Sequence, residues 1–320
     1  MDSILNNTRF AETFRQLAGV ELNPRRHTAA NALEHSEAVA THAAALARAN
    51  GCTERETLLL ENLGRAHDIG KVTGTARPER SLQVLRDCGI EESDFLAMVK
   101  WHDTSLPWYV ARTKGQPPSD KAWRRLAAEV DLRLLAIFMV ADRVDAPPGW
   151  RRNAPTVWFH AEARERGLVS DLTLDLPDHP SEISAGGALI RKHAGARQLL
   201  VIRVRADGYE LPKGGIEWDE LPSDAAVRET REEAGIESML DVGRELAHVD
   251  YVVGDPADPH VKRVRYFTLG SAGPAQLGAL PGRTHERRWV GLDDARLIPL
   301  VNDALRPLLL AALEQPDAGN

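Results

Sequence analysis

The spacing of hydrophobic positions predicts helices in the N-terminal part of the chain. Up to about residue 166, small and aliphatic residues recur every three or four positions, which is the period of one face of an α-helix. A clear example is the set Ala38, Val39, Ala43, Leu46 and Ala47. The alternating pattern of a strand does not stand out in this part. We therefore expect an all-α domain over residues 1–166.

The pattern changes after a segment that contains two prolines and several aspartates. Residues 167–184 break the helical period and carry Pro177 and Pro180, so they predict a linker. Runs rich in Val, Ile and Tyr then predict strands at residues 187–191, 199–204, 249–253 and 264–269. Helices are expected at about residues 223–234 and 300–314. We expect residues 185–320 to form a second domain that combines helices with a sheet.

The length, net charge and cysteines of the chain argue against some classes of protein. A chain of 320 residues with 43% hydrophobic and 27% charged residues has enough material for two globular cores. Its net charge of -7 and isoelectric point of about 5.9 argue against a general nucleic-acid-binding surface. The two cysteines, Cys52 and Cys88, lack the spacing of a disulfide framework or a metal site.

The sequence also lacks the pattern of a membrane protein. The longest apolar run, Leu134–Ala141, is far too short for a membrane span. The N-terminal residues carry neither a basic start nor an apolar run of signal-peptide length. We therefore expect a soluble, cytoplasmic protein without a membrane partner.

A cluster of glutamates in the C-terminal part predicts a metal site. Ser223 has the character of a helix N-cap, and Gly235 has that of a helix stop. Within that helix, Glu229, Glu232 and Glu233 share one face of a single turn. Three like charges so close together repel one another. Oxygen ligands of this kind suit Mg²⁺ or Mn²⁺, which would relieve the repulsion.

The wider spacing of this segment is that of a known motif. The chain resembles the Nudix hydrolase family, whose box reads G-x5-E-x7-R-E-U-x-E-E-x-G-U, with U apolar. The matching residues are Gly214, Glu220, Arg228, Glu229, Glu232, Glu233, Gly235 and Ile236. The sequence departs from the family pattern at two places, since Thr230 fills an apolar slot and Asp219 stands where many members have glycine. Neither change removes a metal ligand.

The Nudix resemblance spans about residues 185–315. It implies an α/β/α sandwich with a mixed sheet, and hydrolysis of a phosphoanhydride bond that links a nucleoside diphosphate to another group. The three glutamates would bind the metals, and Glu232 is our preferred residue for deprotonating water. Glu220 and Arg228 would support the cluster, because Arg228 lies four residues before Glu232 and can pair with its carboxylate.

The segment before the Nudix box indicates a substrate. Leu211–Gly215 is similar to that of Nudix members acting on dinucleoside polyphosphates or highly phosphorylated inositols. Lys213 adds a cation that suits a long run of phosphates, and Gly214, followed by Gly215, lets the backbone approach a metal or phosphate. We therefore favour a dinucleoside or nucleoside polyphosphate over a nucleotide sugar or ADP-ribose. Glu286, further along, is an additional candidate metal ligand.

Two histidines and two aspartates in the N-terminal part form a second candidate site. A turn at Gly51 separates two predicted helices, and His35 and His67 lie 16 residues before and after it. Equal rise along two antiparallel helices places both rings at the same level. Asp68 follows His67 directly, and Asp142 ends an apolar run, where a carboxylate needs a partner. The four side chains would make a site of mixed nitrogen and oxygen ligands.

These four residues resemble the H…HD…D signature of the HD-domain phosphohydrolases, an all-helical metal-dependent fold. The match covers about residues 25–150, and the Ile-Gly-Lys after Asp68 is typical of that family. A divalent transition metal (Mn, Fe, Co, Ni or Zn) or Mg²⁺ suits such ligands. His102 lies where some subfamilies have a further ligand. Residues 72–99 contain no histidine, which favours a site with one metal. Lys71 is a candidate contact for substrate phosphate.

The two motifs together predict a two-domain, bifunctional, metal-dependent nucleotide phosphohydrolase. The HD domain would cleave a phosphomonoester or phosphodiester. Two other interpretations remain open: a regulatory protein in which one domain only senses a nucleotide, and an enzyme that processes RNA ends. The acidic isoelectric point disfavours RNA, whereas a continuous basic groove would favour it. The oligomeric state is left open by the sequence.

Overall fold

The chain folds as two separate units. The computed structural model describes residues 2–205, 208–271, 273, 275, 277–278 and 286–314. Contacts within the chain divide it into Met1–Ser181 and Glu182–Asn320. The proposed domain bounds, with a linker over residues 167–184, remain a prediction. Of the helices in the described part of the chain, none combines the length and the apolar character that a membrane crossing requires.

The first unit is helical, as the hydrophobic spacing predicts. Its α-helices in the described residues are α1 (Thr8–Arg15), α2 (Ala32–Ala49), α3 (Glu54–Ala66), α4 (Pro78–Asp87), α5 (Ser93–Trp101), α6 (Ser105–Thr113), α7 (Asp120–Glu129), α8 (Leu132–Ala141) and α9 (Ala154–Glu165). Short 3₁₀ segments lie at Ile4–Asn6, Gln16–Gly19, Ile69–Thr73 and Trp150–Arg152. After α9, four leucines still pack against the same core, namely Leu168, Leu172, Leu174 and Leu176.

Helix α8 lies at the centre of this unit. Every residue of the helix except Arg133 is buried. A helix that is apolar on all sides is stable only when other elements surround it, and α8 packs against α2, α3 and α9. Its last turn therefore carries Asp142, which caps the helix, into a buried environment.

Helices α2 and α3 form a close-packed hairpin. The predicted turn at Gly51 is confirmed, with α2 ending at Ala49, α3 beginning at Glu54 and a positive φ of 65° at the glycine. A Cβ atom added at Gly64 would lie 2.4 Å from the Cα of Ala40. Only glycine permits that approach of the two helix backbones.

The second unit is a sheet with helices on both faces. Its strands are β1 (Glu182–His193), β2 (Ala196–Arg205), β3 (Gly208–Glu210), β4 (Lys213–Gly215), β5 (Asp241–Asp255), β6 (Asp258–Gly270) and β7 (Glu286–Val290), and its helices are α10 (Pro222–Ala234), α11 (Leu292–Leu297) and α12 (Arg306–Glu314). The strand order is β3-β2-β1-β6-β5, with β4 paired to β1 and β7 paired to β2. Strands β1 and β6 run parallel and the other pairs run antiparallel, so the expected mixed sheet is confirmed.

Alternating side chains of the sheet serve two cores. On β2, Leu199 and Val201 pack in the cluster that contains α11 and α12, whereas Leu200 and Ile202 pack in a cluster with residues of α10. The alternation follows from the two-residue period of a strand. Helices therefore cover both faces, which confirms the α/β/α sandwich.

Two details of the predicted elements are corrected by the structure. Ser223 is not the N-cap of α10, because the helix begins one residue earlier at Pro222 and Leu221 takes the cap position. Proline at the first helical position fits, because it lacks the N–H group that would have no partner there. Helix α12 begins at Arg306 after a 3₁₀ turn at Asp303–Leu305, later than expected. The predicted stop at Gly235, in the left-handed conformation, is confirmed.

Candidate metal centres

Four predicted ligands meet in the helical unit. His35 lies near the start of α2, while His67 and Asp142 cap the C-terminal ends of α3 and α8. The Nε2 atoms of His35 and His67 are 3.3 Å apart, so the two rings do lie at one level. Oδ1 of Asp142 lies 3.4 Å and 3.1 Å from these two nitrogens, and Oδ2 of Asp68 lies 3.5 Å from Nε2 of His67. All four side chains are buried.

The Nδ1 atom of each histidine ring faces a hydrogen-bond acceptor. Nδ1 of His67 lies 2.9 Å from the backbone carbonyl oxygen three residues earlier, and Nδ1 of His102 makes the same contact at 2.7 Å. A carbonyl oxygen only accepts, so Nδ1 carries the hydrogen in both rings. Nδ1 of His35 faces Oδ1 of Asp145 at 3.0 Å. In each neutral ring Nε2 then has the free lone pair that a metal requires.

The charges of the cluster suit a bound cation. Burial disfavours ionised Asp68, but His67 and Lys71 outweigh it, and the pKa of this carboxyl lies well below its usual range. Asp142 is buried in the same way, and Arg143 and His67 hold its pKa well below the usual range. Against burial, Asp68 and Asp142 together raise the pKa of His67 to about 10. The two ionised carboxylates thus favour a positive charge close to them, and a divalent cation bound by the imidazole nitrogens would supply it.

Two basic side chains contact these carboxylates. Nζ of Lys71 lies 2.6 Å from Oδ2 of Asp68, and Nη2 of Arg143 lies 2.9 Å from Oδ2 of Asp142. The structure thus places Lys71 against a predicted ligand. Its contact with substrate phosphate stays a prediction.

His102 lies at the edge of the cluster. Its Nε2 is 4.0 Å from Oδ1 of Asp68, and its ring centroid is 5.2 Å from that of His67. The residue is buried, and its ring is anchored in the same way as that of His67. The structure therefore brings this additional candidate close to the four others.

The sequence interpretation missed Asp145. This buried carboxylate contacts His35 at 3.0 Å and His27 at 3.3 Å. His27 is partly buried, and its ring lies 4.7 Å from that of His35. The available signal was the three-residue spacing from Asp142 to Asp145, which places both carboxylates in the turn after α8.

Arg228 organises the glutamates of the second unit. Its guanidinium forms a two-pronged pair with Glu220, with Nε–Oε1 and Nη2–Oε2 distances of 2.9 Å. Nη1 lies 2.7 Å from Oε1 of Glu229 and 3.5 Å from Oε2 of Glu232, and Nη2 donates to the carbonyl oxygen of Gly215 at 2.7 Å. The bond to Glu220 is the main cause of a raised pKa for Arg228. One arginine thus joins the preceding loop to α10.

The loop backbone lies directly against the helix. A Cβ atom at Gly214 would lie 2.0 Å from Oε2 of Glu229, so a side chain at this position would displace the Glu229 carboxylate. The backbone N–H of Lys213 donates to Oε2 of Glu233 at 2.8 Å. Burial raises the pKa of Glu233, and Glu210 and Glu229 add to the shift while Lys213 opposes it.

The three glutamates of α10 differ in exposure. The side chain of Glu232 is 56% exposed, whereas that of Glu229 is 13% exposed. Like charges repel, and Glu229 and Glu232 both point to Arg228 instead. A divalent cation is the group that would draw such carboxylates together.

Two further acids lie on neighbouring strands. Glu286, the additional candidate ligand, accepts a hydrogen bond from the hydroxyl of Tyr209 and lies 3.6 Å from Arg203. Its ligand role stays a prediction. Glu210 was missed by sequence reasoning, although it is buried and lies 2.7 Å from Nζ of Lys213. A single acid on a three-residue strand offered no pattern to find it.

Comparison with known families assigns both units. A family model described as HD domain matches residues 32–146, and one described as NUDIX domain matches residues 180–311. The chain is an HD domain followed by a Nudix domain. Both motifs identified in the sequence fall inside these matches, and the two domains indicate a metal-dependent phosphohydrolase.

Several solved structures are similar to part of the chain. The C. elegans Ap4A hydrolase in a binary complex is 27% identical, with 40% of this chain and 93% of that chain covered and a TM-score of 0.33. The Nudix hydrolase RenU from M. smegmatis is 24% identical, with coverages of 41% and 81% and a TM-score of 0.29. An ADP-ribose pyrophosphatase from Streptococcus suis 89-1591 is 20% identical, with coverages of 41% and 89% and a TM-score of 0.31. A search of curated proteins found no match.

Proposed function

We propose that the chain is a bifunctional nucleotide phosphohydrolase with an independent hydrolytic site in each domain. The HD site would cleave a phosphomonoester or phosphodiester, and the Nudix site would cleave a phosphoanhydride. The observation that carries this proposal is the pair of separate ligand sets: two histidines and two aspartates buried in one unit, and the glutamates around Arg228 in the other. Neither set borrows a residue from the other unit.

In the HD domain, His35, His67, Asp68 and Asp142 would hold the metal, with His102 as an additional ligand. A transition metal is favoured, because imidazole binds such ions more strongly than Mg²⁺. The cation would polarise the phosphate ester and activate water. Lys71 lies beside Asp68 and has 12% of its side chain exposed, so it is placed to bind a phosphate oxygen that approaches the same carboxylate.

In the Nudix domain, Glu229, Glu232 and Glu233 would hold Mg²⁺ or Mn²⁺, because hard cations prefer oxygen ligands. Bound metal would neutralise charge on the cleaved phosphate. Glu232 is our candidate general base, since it is the most exposed of the three and can reach water. Arg228 would position the cluster through Glu220 and Gly215 without contacting the reacting atoms.

A dinucleoside or nucleoside polyphosphate is our proposed Nudix substrate. The support is the Leu211–Gly215 segment, which carries a cation and two glycines beside the glutamates. Trp218, 61% exposed and close to the box, offers an aromatic face for a nucleobase. Lys213 supports the proposal less directly than the sequence indicated, because Glu210 already neutralises its ammonium.

Two variants test the independence of the sites. Glu232→Gln should lower phosphoanhydride cleavage by roughly 10²–10⁴-fold, the usual contribution of a general base, and should leave phosphoester cleavage unchanged. His67→Ala combined with Asp68→Ala should abolish phosphoester cleavage and leave phosphoanhydride cleavage unchanged. Both activities are measured with nucleotides, dinucleoside polyphosphates and phosphoesters, with Mg²⁺ and Mn²⁺ in parallel.

Arg231→Gln serves as a matched control for the first variant, since Arg231 lies on the same helix and contacts the backbone oxygen of Ile236. Loss of phosphoanhydride cleavage in a folded HD double variant would contradict the proposal of independent sites. Absence of any phosphoester cleavage with Mn, Fe, Co or Ni would contradict an active HD site.

A further inference from the structure

Asp145 contacts the side of His35 that faces away from the predicted ligands. Nε2 of His35 points to His67 and Asp142, whereas Nδ1 lies 3.0 Å from Oδ1 of Asp145. Both His35 and Asp145 are buried. The two nitrogens of one ring therefore have different partners, and only Nε2 belongs to the ligand set.

The carboxylate of Asp145 is itself fixed from two directions. Its Oδ1 also lies 3.3 Å from Nδ1 of His27, and its backbone carbonyl oxygen accepts from the N–H of Thr28 at 2.8 Å. The ring of His27 packs edge-on against that of His35, with centroids 4.7 Å apart. The segment before α2 thus holds Asp145 against His35.

We propose that Asp145 is a positioning residue for the HD metal centre, which keeps the hydrogen of His35 on Nδ1 and the lone pair on Nε2, with His27 as its support. An imidazole can bind a metal through either nitrogen, and a hydrogen-bond acceptor at one nitrogen determines which is free. His67 obtains the same control from a backbone carbonyl. His35 lies near the N-terminal end of α2, and the carboxylate of Asp145 supplies the acceptor for its Nδ1.

A second arrangement would use the same three side chains as metal ligands. Nδ1 of His27, Nδ1 of His35 and a carboxylate oxygen of Asp145 lie within 4.8 Å of one another, and Oδ2 of Asp145 is buried without a hydrogen bond. Such a site would need His35 to bind two metals through both nitrogens and to lose its ring hydrogen. Metal stoichiometry separates the two arrangements.

The inference rests on the proposed HD metal centre, so wild-type protein is titrated first with Zn²⁺ and Mn²⁺ in a calorimeter. Asp145→Ala should weaken Mn²⁺ binding by roughly 10- to 100-fold, the usual effect of losing such a partner. Asp145→Asn should retain most of the affinity, because an amide oxygen can accept the same hydrogen bond. His27→Ala should have a smaller effect than Asp145→Ala. His160→Gln, at a buried histidine of α9, is the control for general damage to the unit.

A second readout follows the ring itself. In Zn²⁺-loaded wild-type protein labelled with ¹⁵N-histidine, His35 should show a slowly exchanging hydrogen on Nδ1. That signal should persist in Asp145→Asn and be lost or exchange rapidly in Asp145→Ala.

Each result has one meaning. If wild-type protein binds no more metal than the variant with His67→Ala and Asp68→Ala, the HD metal centre is wrong and this inference fails with it. If the binding that this double variant loses is unchanged in Asp145→Ala, only the positioning role is wrong. Equal damage in Asp145→Asn and Asp145→Ala would also overturn it. A second equivalent of metal that disappears in His27→Ala would make Asp145 a ligand rather than a positioning residue.

Discussion

At the scale of single residues, the ion pair between Glu210 and Lys213 bears on the polyphosphate substrate that we propose for the Nudix domain. Nζ of Lys213 is 2.7 Å from Oε2 of Glu210 and lies over the ring of Tyr251, 5.9 Å from its centroid. Both charged groups are mostly buried. The lysine is therefore held in place, and part of its charge is compensated before a substrate arrives.

We expect opposite effects from removing the two partners. Lys213→Ala should lower the ratio of kcat/KM for a tetraphosphate-bridged over a triphosphate-bridged dinucleotide by about three- to tenfold, or about 1 kcal/mol. Glu210→Gln should raise that ratio, because it releases the ammonium for the additional phosphate. Steady-state kinetics on both substrates measures it. The substrate proposal fails if neither variant alters the ratio, or if ADP-ribose is cleaved far more efficiently than either dinucleotide.

Residue identities within the motifs could be predicted from the sequence, whereas the residues that support them could not. Glu229, Glu232 and Glu233 are recognisable because a helix brings three- and four-residue spacings together. Asp145 and Glu210 act through contacts that only the fold creates. Asp219 has a φ of 63°, the conformation that glycine adopts at no cost and that aspartate tolerates. That backbone angle explains how the departure from the motif leaves the loop intact.

At the scale of elements, the α2–α3 hairpin sets the distance between two proposed metal ligands, His35 and His67. Its backbones touch at Ala40 and Gly64, between the turn and the level of His35 and His67. The carbonyl oxygen of Gly64 also accepts the hydrogen bond that orients His67. A change in the distance between the two helices at this contact would therefore also change the distance between His35 and His67.

Gly64→Ala should destabilise the protein by about 1–3 kcal/mol, because the added methyl group meets backbone that cannot move aside. It should also weaken Mn²⁺ binding, since the Nε2 atoms of the two histidines would separate. Chemical denaturation and metal titration measure the two effects. Gly51→Ala, which meets no atom within 4 Å but has a positive φ, is the control: it should cost stability without altering metal affinity. Unchanged metal binding in Gly64→Ala would contradict the role of this contact.

The sequence predicts whether a long element is a helix or a strand. It does not predict the short strands. Counting residues from Gly51 placed two histidines at one level because every helical residue rises by the same amount. Strands β3 and β4 have three residues each, too few to show a period. Strand β4 pairs with Ser184–Gly186 of β1, which is information from a distant part of the chain, whereas β3 pairs with the end of β2, the strand before it.

At the scale of the whole molecule, the two centres differ in how tightly they should hold metal. The HD ligands are buried and include imidazoles, whereas the Nudix ligands are oxygens and one of them is half exposed. Protein purified without added metal should therefore contain close to one equivalent of a transition metal and little Mg²⁺. Elemental analysis measures this directly.

Removal of that metal should destabilise mainly the helical unit. Binding to the folded state alone contributes about 2.7 kcal/mol when metal is present at a hundredfold excess over Kd. After chelation, calorimetry should show a lower unfolding temperature for one transition, and the HD double variant should show no further decrease. A transition metal that remains bound to the double variant would place the tight site elsewhere.

The division into an HD and a Nudix domain could be predicted because each motif lies within one half of the chain. The end of the first unit could not be predicted in the same way. Leucines after α9 return to the helical core, and Pro177 and Pro180, which follow them, resemble a linker in sequence. Their packing depends on a hydrophobic surface that no local pattern reveals.

The position of Asp142 on α8 also bears on the order in which the two centres form during synthesis. A ribosome makes the chain from its N-terminus, and His35 and Asp142 are separated by 107 residues. The HD centre therefore stays incomplete until the central apolar helix itself has been made, so folding of that core and completion of the ligand set coincide. The three Nudix glutamates lie within five consecutive residues and leave the ribosome almost together. Metal binding by the first domain would thus be a late event of its folding, whereas the second domain carries its proposed ligands in a single segment.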